Sequence, residues 1–384
     1  MKVFVIGAGT AGLLTCMELC HSLPDFFDIT LVHDPDIESI GVGESSLVGL
    51  SYLLFDSIDY VHFLERGDLN ATTKYGVKFK NWSSGDDIFV PFGTGNYGLQ
   101  FDTTNLKDFV LPRLLKKYKN FNILEAKVNS IDSIGRQVCV QLEDKILMSD
   151  YVVDCRGFPE DYSDYVICDN VYVNSALVVP STSHNTWEYT YHYAHKNGWM
   201  FGIPLNNRSG WGYLYNSELT TRGECIEDIE KIFANSIDGM KFKLNFDKAR
   251  DFSFKSYYIK DFMNEDRNIF YNGNKALFLE PIQATSIGCY NLINVFIAKY
   301  INHTMEYEEI FESYRKMMEE CLLFINLHYA NGSIYDSDFW RLAKQKSNEI
   351  LREYDINNYT WEFAIDSAQL LNSVLSNFNP CIKH

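Results

Sequence analysis

The chain begins with a short apolar run, residues 3–6, which is followed by glycines and then by apolar positions at helical spacing. This order predicts a buried strand, a tight turn and a helix. A second apolar run at residues 28–34 predicts another strand, and residues 276–279 predict a late strand that ends at Glu280. Strands alternating with helices favour an α/β fold.

The middle of the chain has a different pattern. Residues 160–265 alternate apolar and polar positions and are rich in aromatic side chains, as in NTWEYTYHYAH, which predicts antiparallel strands. Within NGWMFGIP, residues 197–204, the spacing of two puts Trp199 and Phe201 on one face of a strand. Such a pair forms either core or the wall of a site. From residue 301 onward, apolar positions at helical spacing predict helices; they are Ile310, Tyr314, Met317, Cys321 and Phe324.

Composition limits the possible functions. The 384 residues carry a formal net charge of −17, which argues against binding to nucleic acid and to anionic membranes. No apolar stretch is long enough to span a membrane and no targeting segment precedes the first strand, so we expect a cytoplasmic protein. Nine scattered cysteines without a CxxC pair indicate reduced thiols, and no spacing typical of metal ligands occurs, so no metal site is expected.

The glycines after the first strand have the spacing of a dinucleotide-binding turn. In GAGTAG, Gly7 makes the turn, Gly9 lets the backbone approach a pyrophosphate and Gly12 lets the helix pack on the strand. The second strand should end with an acidic residue for the ribose. His33 stands at that place with Asp34 beside it, so Asp34 binds the ribose, the ribose is held differently, or both are ordinary loop residues.

Two later segments favour a flavin over a nicotinamide. SIGVGESSLVGL, residues 39–50, is a glycine-containing loop whose backbone can lie along a cofactor. A long helix predicted to begin near Ile287 offers a second helix N-terminus, which suits the N1/O2 edge of a flavin. An early dinucleotide motif and a late helix terminus are typical of two-lobed flavoproteins.

The chain resembles the flavin-dependent halogenases of the tryptophan halogenase family. The matching segments occur in the family's order: GAGTAG, GVGESS, KYGVKFKNW, LQFDTTNLKDF, VVDCRGF, NGWMFGIP, FLEPIQATSIG and LHYANGSIYDSDFW. NGWMFGIP resembles the family's Trp-x-Trp-x-Ile-Pro signature, with Phe201 in place of the second tryptophan. In that family this segment separates the flavin from the substrate.

The resemblance implies a Rossmann-like FAD-binding fold with an antiparallel β-sheet layer over the flavin and a C-terminal helical lobe. We expect residues 1–384 to form one two-lobed unit. The FAD lobe would comprise residues 1–80, 95–160 and 265–300, the substrate-side β segment residues 160–265, and the helical lobe residues 301–384.

The resemblance also implies the chemistry. FADH2 and oxygen convert a halide ion, chloride, bromide or iodide, into hypohalous acid, and a lysine passes this oxidant to a small electron-rich aromatic substrate. Lys74, Lys78 and Lys80 share one face of a predicted strand, so position alone does not choose among them, and the resemblance selects Lys74. No nicotinamide site is evident, which implies a separate flavin reductase; a homo-oligomer is possible.

The site residues that the resemblance implies fall into four groups. The catalytic residues are Lys74 and Gln283, and the halide-binding residues are Thr285 and Ser286. The FAD contacts are Gly7, Gly9, Thr10, Ala11, Gly12, His33, Asp34, Gly41, Val42, Gly43, Glu44, Ser45, Val128, Asn274 and Ile287. The substrate and tunnel residues are Val90, Phe92, Trp199, Phe201, Ile203 and Pro204.

Several positions depart from the pattern of the tryptophan-specific members. Gln283 stands where they carry glutamate, so it can donate and accept hydrogen bonds but cannot act as a base. Ser286 replaces a glycine, which should restrict the backbone of the halide site. Val90 stands near the position of a pocket histidine, and the C-terminal part is shorter. These departures predict a preference for bromide or iodide and for aromatic compounds other than free tryptophan.

Other interpretations stay open. The same departures are compatible with a related flavin-dependent monooxygenase or oxidase, and a non-catalytic flavoprotein is a third hypothesis. Glu280 has either a structural role in its turn or a functional one. His328 and Trp340 match family positions and are expected to pack within the helical lobe.

Overall fold

The computed structural model describes residues 1–37, 44–168, 172–183 and 185–354. The expected FAD contacts Gly41, Val42 and Gly43, and residues 355–384 of the expected helical lobe, lie outside these ranges. The helices are α1 (Thr10–Ser22), α2 (Val48–Ile58), α3 (His62–Glu65), α4 (Thr103–Lys117), α5 (Arg222–Phe233), α6 (Thr285–Ile301), α7 (Tyr307–Asn331) and α8 (Asp338–Glu353). Short 3₁₀ helices span Phe246–Lys248, Gly273–Lys275 and Ile282–Ala284.

The strands are numbered in chain order. They are β1 (Lys2–Ile6), β2 (Asp28–His33), β3 (Glu44–Ser45), β4 (Thr72–Lys74), β5 (Gly76–Lys80), β6 (Ile88–Pro91), β7 (Gly98–Phe101), β8 (Phe121–Glu125), β9 (Val128–Ile134), β10 (Gln137–Leu142) and β11 (Ile146–Ser149). They continue with β12 (Tyr151–Asp154), β13 (Tyr165–Ile167), β14 (Ser175–Ser181), β15 (Thr190–His195), β16 (Gly198–Pro204), β17 (Ser209–Tyr215), β18 (Arg250–Ser253), β19 (Tyr257–Ile259), β20 (Ile269–Tyr271) and β21 (Leu277–Phe278).

A five-stranded parallel sheet carries the N-terminal motif. Its order is β20-β12-β1-β2-β8, and every neighbouring pair is parallel. Its strands are apolar because both faces are covered. One face packs against α1, which is buried along most of its length and contacts α6, and the other face packs against β10. The predicted α/β fold is confirmed, with the carboxyl ends of β1 and β2 at the edge where ligands of such sheets bind.

A seven-stranded sheet forms the second layer, in the order β18-β14-β17-β16-β15-β5-β6. All its pairs are antiparallel except β15 with β5, so the predicted antiparallel layer is present with one parallel pair. Trp199 and Phe201 pack into the largest core, whereas Met200 between them packs into a separate core on the other face. The predicted shared face of the two aromatic residues is confirmed.

The C-terminal helices follow the predicted spacing. All five apolar positions that predicted a helix are buried on α7, and α6 begins at Thr285, two residues before the predicted start. The indole of Trp340 on α8 donates a hydrogen bond to the carbonyl of His195 at 2.6 Å, which ties this lobe to the seven-stranded sheet. None of the helices described is long and apolar enough to cross a membrane.

The predicted strand that contains the lysines breaks at Tyr75. Its N–H donates to the carbonyl of Glu188 at 2.7 Å, and at Gly76 an added Cβ would lie 2.2 Å from the Val90 carbonyl oxygen. Lys74 therefore belongs to the small sheet β3-β7-β4, whereas Lys78 belongs to the seven-stranded sheet. The expectation that the lysines share one face is wrong, and residues 76–80 join the β layer instead of the FAD lobe.

Candidate active site

The glycine turn leaves an open cradle at the N-terminus of α1. Gly7 has a φ of +104°, which favours glycine, and a Cβ at Gly12 would lie only 1.8 Å from the Gly7 carbonyl oxygen. A Cβ at Gly9 would meet no atom within 4 Å, and no side chain caps the helix there. Helix N–H groups that face open space suit a pyrophosphate, so this turn fits FAD.

Other expected FAD contacts surround this cradle. The Thr10 hydroxyl donates to Glu44 Oε1 at 3.2 Å, and burial raises the pKa of Glu44 to about 7. Gly273, with a φ of +64°, brings the segment containing Asn274 against α1, because a Cβ there would lie 2.5 Å from the Cβ of Ala11.

Two further expected FAD contacts lie on β3 and α6. Ser45, the last residue of β3, is half-buried, and its hydroxyl lies 2.9 Å from the hydroxyl of Thr190 on β15. Ile287 is buried in the first turn of α6. Ser45 therefore connects the small sheet that holds Lys74 to the seven-stranded sheet.

The end of β2 lies beside the glycine turn. The Gly7 N–H donates to the Val32 carbonyl at 2.9 Å, so His33 and Asp34 follow directly at this edge. His33 is buried, and the Asp34 carboxylate accepts the Asp36 N–H at 3.0 Å within its own turn. Both residues therefore lie at the sheet edge that carries the cradle, and the Asp36 bond occupies only one oxygen of the Asp34 carboxylate.

Val128 stands at the start of β9. Its carbonyl accepts a hydrogen bond from Arg156 Nη1 at 3.1 Å, and Arg156 is also paired with Asp154 at the end of β12. Val128 is therefore tied to the same carboxyl edge of the parallel sheet as the cradle.

Lys74 is an unpaired lysine in the interior. Its side chain is 0% exposed, and its Nζ has no hydrogen-bond partner among the described residues. The ring of Phe92 lies 5.2 Å away, and burial lowers the pKa of Lys74 to about 7. By contrast, Lys78 and Lys80 form ion pairs with Asp238. Of these three lysines, Lys74 alone is fully buried and has no ion pair among the described residues.

The aromatic pair of β16, which we expected to form a wall between flavin and substrate, packs in the core. Trp199 is fully buried, and the ring of Phe201 covers Gly212, where an added Cβ would lie 2.2 Å from the ring. At the end of the strand, the Pro204 carbonyl accepts the Thr72 hydroxyl at 2.7 Å, and Ile203 is buried. This bond anchors β4, and with it Lys74, to the wall.

A hydrogen-bonded chain of three side chains supports the wall. Trp199 Nε1 donates to the hydroxyl of Tyr329 at 2.9 Å, and this hydroxyl donates to Glu280 Oε1 at 2.9 Å. Burial raises the pKa of Glu280 to about 8 despite the bond from Tyr329, so the carboxyl is mostly protonated at neutral pH. Glu280 thus has a definite structural partner, and Tyr329, beside His328 in LHYA, is a site residue that sequence reasoning missed.

We expect Tyr329→Phe to lower the free energy of unfolding by about 1–3 kcal/mol, because it leaves the buried groups of Trp199 and Glu280 without partners. Chemical denaturation monitored by tryptophan fluorescence measures the change. Tyr52→Phe, at an exposed tyrosine, is the control and should shift stability by less than about 0.5 kcal/mol. Equal effects of the two substitutions would show that the buried chain does not stabilise the wall.

Gln283 contacts a histidine for which the sequence predicted only a packing role. Gln283 Nε2 lies 3.1 Å from His328 Nε2, and His328 Nδ1 lies 2.8 Å from the Phe324 carbonyl. The Nδ1 side must donate to that carbonyl, so Nε2 accepts from the amide. Burial lowers the pKa of His328 to about 4, which keeps the ring neutral. The Gln283 oxygen has no partner among the described residues.

The first turn of α6 presents Thr285 and Ser286. Its N-cap, Ala284, supplies no side-chain cap, so helix amides are available to an anion. Positive φ values occur at Gln283 and Ala284, 54° and 63°, and not at Ser286. The left-handed positions therefore precede Ser286, and the restriction that serine imposes there stays a prediction.

The two remaining candidates for the substrate pocket, Phe92 and Val90, lie in different surroundings. Phe92 faces Lys74, whereas Val90 is buried in the core opposite Val77. A cavity of about 670 Å³ opens beside β4. It is lined by Arg66, Thr72, Thr73, Tyr75, Phe89, Thr186, Trp187, Glu188, Tyr189 and Asn206. Two of the lining residues, Thr73 and Tyr75, are the neighbours of Lys74 along the chain, so the cavity lies next to the candidate site.

Comparison with known proteins decides the family. The model of a family described as tryptophan halogenase matches residues 2–113 and 93–360. The chain belongs to the tryptophan halogenase family. Tryptophan halogenases are flavin-dependent enzymes that use FADH2, a halide, an aromatic substrate and a separate flavin reductase.

Individual members of the tryptophan halogenase family are distant in sequence. The chain is 23% identical to tryptophan 7-halogenase RebH of Lentzea aerocolonigenes, over 90% of this chain and 79% of that protein. It is 22% identical to tryptophan 6-halogenase ThaL of Streptomyces albogriseolus, over 89% and 78% of the two chains.

Solved structures of flavin-dependent halogenases share the fold. Xcc4156 from Xanthomonas campestris superposes with a TM-score of 0.78 at 20% identity, covering 98% of this chain and 93% of its own. BrvH from Brevundimonas sp. BAL3 superposes with a TM-score of 0.77 at 19% identity, covering 99% and 90%. The described residues contain no cluster of potential metal ligands.

Proposed function

We propose that this protein halogenates electron-rich aromatic compounds with hypohalous acid formed from a halide, and that Lys74 carries the oxidant to the substrate. The observation that supports this most is the buried Lys74 amine, which has no hydrogen-bond partner among the described residues. An unpaired ammonium in the interior is costly, and a stability role does not account for it.

The cofactor would be held by the cradle of Gly7, Gly9 and Gly12 and by the segments around Glu44 and Asn274. When bound, reduced FAD supplies with oxygen the oxidising power that converts halide into hypohalous acid. The chain's own part is to bind the halide, guide the oxidant and keep the organic substrate away from the flavin.

The halide would bind to the amides of Thr285 and Ser286. The uncapped N-terminus of α6 favours an anion. Glu280, in the loop that leads into this helix, is mostly protonated because burial raises its pKa to about 8. A neutral carboxyl does not repel the anion, so the site keeps its positive potential.

Lys74 would receive the hypohalous acid beyond the wall of Trp199 and Phe201. Because its pKa is about 7, both amine and ammonium are populated at neutral pH. The ammonium form hydrogen-bonds the oxygen of the acid and polarises its bond to the halogen, and the amine form can be halogenated. Gln283 orients the oxidant through its free amide oxygen.

A flavin-dependent monooxygenase is the second candidate. Phe201 stands in the wall where the related signature has tryptophan, and Gln283 is held by His328 instead of offering a carboxylate. This activity would insert an oxygen atom into the substrate with no halide required. Omitting the halide separates the two candidates: product formation must stop for a halogenase and continue for a monooxygenase.

We predict bromide or iodide to be used in preference to chloride. Two left-handed residues, Gln283 and Ala284, lead into the halide amides, and the larger halides are oxidised more easily, so imperfect binding matters less. Equimolar chloride and bromide should give mainly brominated product by mass spectrometry, with FADH2 from a reductase and with an aromatic substrate. Chlorinated product in excess would contradict this prediction.

Free tryptophan is predicted to be a poor substrate compared with phenols, anilines, indoles and other heteroaromatic compounds. Gln283 provides no carboxylate beside the reacting carbon, and Val90 is a core residue that offers no polar contact. Burying a zwitterion requires partners for both charges. Initial rates over such a panel measure the preference, and fast halogenation of tryptophan alone would contradict it.

A further inference from the structure

A second buried histidine, His192, packs against the wall residue Trp199. His192 lies on β15 between Phe201 of β16 and Phe79 of β5, its partners in the two neighbouring strands. Its ring centroid is 4.9 Å from that of Trp199. The side chain is 1% exposed, and its Nδ1 has no hydrogen-bond partner within the described part of the chain. A buried polar atom without a partner requires an explanation.

Two titratable side chains act on His192 from other elements, Lys74 of β4 and His328 of α7. Burial is the main cause, and these two add to it, in lowering the pKa of His192 well below its usual value. The imidazole is therefore neutral at physiological pH, and in the tautomer protonated on Nε2 its Nδ1 carries a free lone pair.

In the proposed function Lys74 is engaged with the oxidant, and the other polar groups of the site are held by partners or are not basic. His328 Nδ1 donates a hydrogen bond to the Phe324 carbonyl, and His328 Nε2 accepts one from the Gln283 amide. Gln283 is an amide, and Glu280 is mostly protonated and bonded to Tyr329. Halogenation of an aromatic carbon must nevertheless release the proton that the halogen replaces.

We propose that His192 is the catalytic base that accepts the proton from the halogenated ring carbon. This inference rests on the proposed function. The carbon forms a bond to the halogen of hypohalous acid while the oxygen–halogen bond breaks, and the departing hydroxide takes a proton from the Lys74 ammonium to form water. Nδ1 of His192 then accepts the ring proton, which restores the aromatic system, and this proton passes to the Lys74 amine.

The step is balanced: an aromatic C–H and hypohalous acid give an aromatic C–halogen bond and water, and both side chains return to their starting states. A weakly basic imidazole suffices, because a cationic ring intermediate is a much stronger acid than imidazolium. The role also explains why the residue near Lys74 is a neutral histidine, since a permanently charged one could not accept a proton.

The test compares His192→Asn and His192→Phe with His195→Asn. His195 is a matched control, because it is a buried histidine on the same strand whose ring stacks on Tyr213, on the opposite face. The substrate is indole, unlabelled or deuterated on its ring carbons, with FADH2, oxygen and bromide. We expect both His192 variants to lose about 10²-fold in kcat with KM nearly unchanged, and the control to retain its kcat.

The isotope effect separates a base from a packing residue. The wild-type enzyme should show no primary deuterium effect on bromination, because proton removal is fast, and the His192 variants should show one. Thermal melting checks that each variant folds. If His192→Phe does not fold, the kcat and isotope effect of His192→Asn still test the proposed base. Brominating variants with unchanged kcat or with no isotope effect would overturn this inference alone, whereas a wild-type protein that brominates nothing would overturn the proposed function.

Discussion

Lys74→Met is expected to lower the yield of halogenated product at least about 10²-fold, while FAD binding and oxygen consumption continue. Methionine keeps an apolar stem of similar size in the fully buried site but offers no group that holds hypohalous acid. Lys78→Met is the matched control, because Lys78 is paired with Asp238 near the surface. The measurement is product yield beside oxygen uptake under the same supply of FADH2, and normal yield from Lys74→Met would remove Lys74 from the mechanism.

The same substitution should also raise the stability of the folded protein at neutral pH. The pKa of Lys74 is about 7 in the folded protein and 10.5 for an ordinary lysine, so between these values the unfolded chain holds the extra proton. A lowered lysine pKa therefore destabilises the folded protein most at pH 7 and below, and each pH unit between the two pKa values corresponds to about 1.4 kcal/mol. Lys74→Met should accordingly be more stable than the wild type at pH 7, and the gain should shrink as the pH rises toward 10.5. Chemical denaturation of both proteins across this pH range measures the difference, and a gain that does not change with pH would contradict the lowered pKa.

Gly9→Ala is expected to fold normally and to bind FAD at least tenfold more weakly, a loss of about 1.4 kcal/mol or more. The new methyl group would meet no protein atom within 4 Å and would stand where the pyrophosphate must approach. The matched control is Gly67→Ala, because Gly67 is exposed and also has open space for a methyl group. Titration of FAD followed by flavin fluorescence measures the affinities.

Gly12→Ala should act differently, since its methyl group would lie 1.8 Å from the Gly7 carbonyl oxygen and must push α1 from its sheet. We therefore expect this variant to lose folding as well as FAD binding. Equal FAD affinity in the wild type and in Gly9→Ala would contradict the assignment of the cradle.

Local sequence patterns were sufficient to predict most of the fold. The glycine turn, the second strand and α7 depend on neighbours within a few residues, so spacing alone predicted them. The shared face of Trp199 and Phe201 followed from the period of a strand. The start of α6 was displaced only because Thr285 already has helical geometry after the left-handed Ala284.

The parts of the site that were missed depend on contacts distant in sequence. Tyr329 joins Trp199, 130 residues earlier, and Gln283 meets His328, 45 residues later, and neither pairing has a local signal. The strand break at Tyr75 arises from a bond to the Glu188 carbonyl and from crowding at Gly76. For the same reason the three lysines could not be separated by strand periodicity.

Halogenation by an oxidant that Lys74 carries can be tested by following the fate of labelled oxygen. Wild-type protein and Lys74→Met are each supplied with FADH2, isotopically labelled oxygen, bromide and indole, and the products are analysed by mass spectrometry. We expect bromoindole without labelled oxygen from the wild type and no bromoindole from Lys74→Met. Labelled hydroxyindole from the wild type, or equal bromoindole from both proteins, would contradict it.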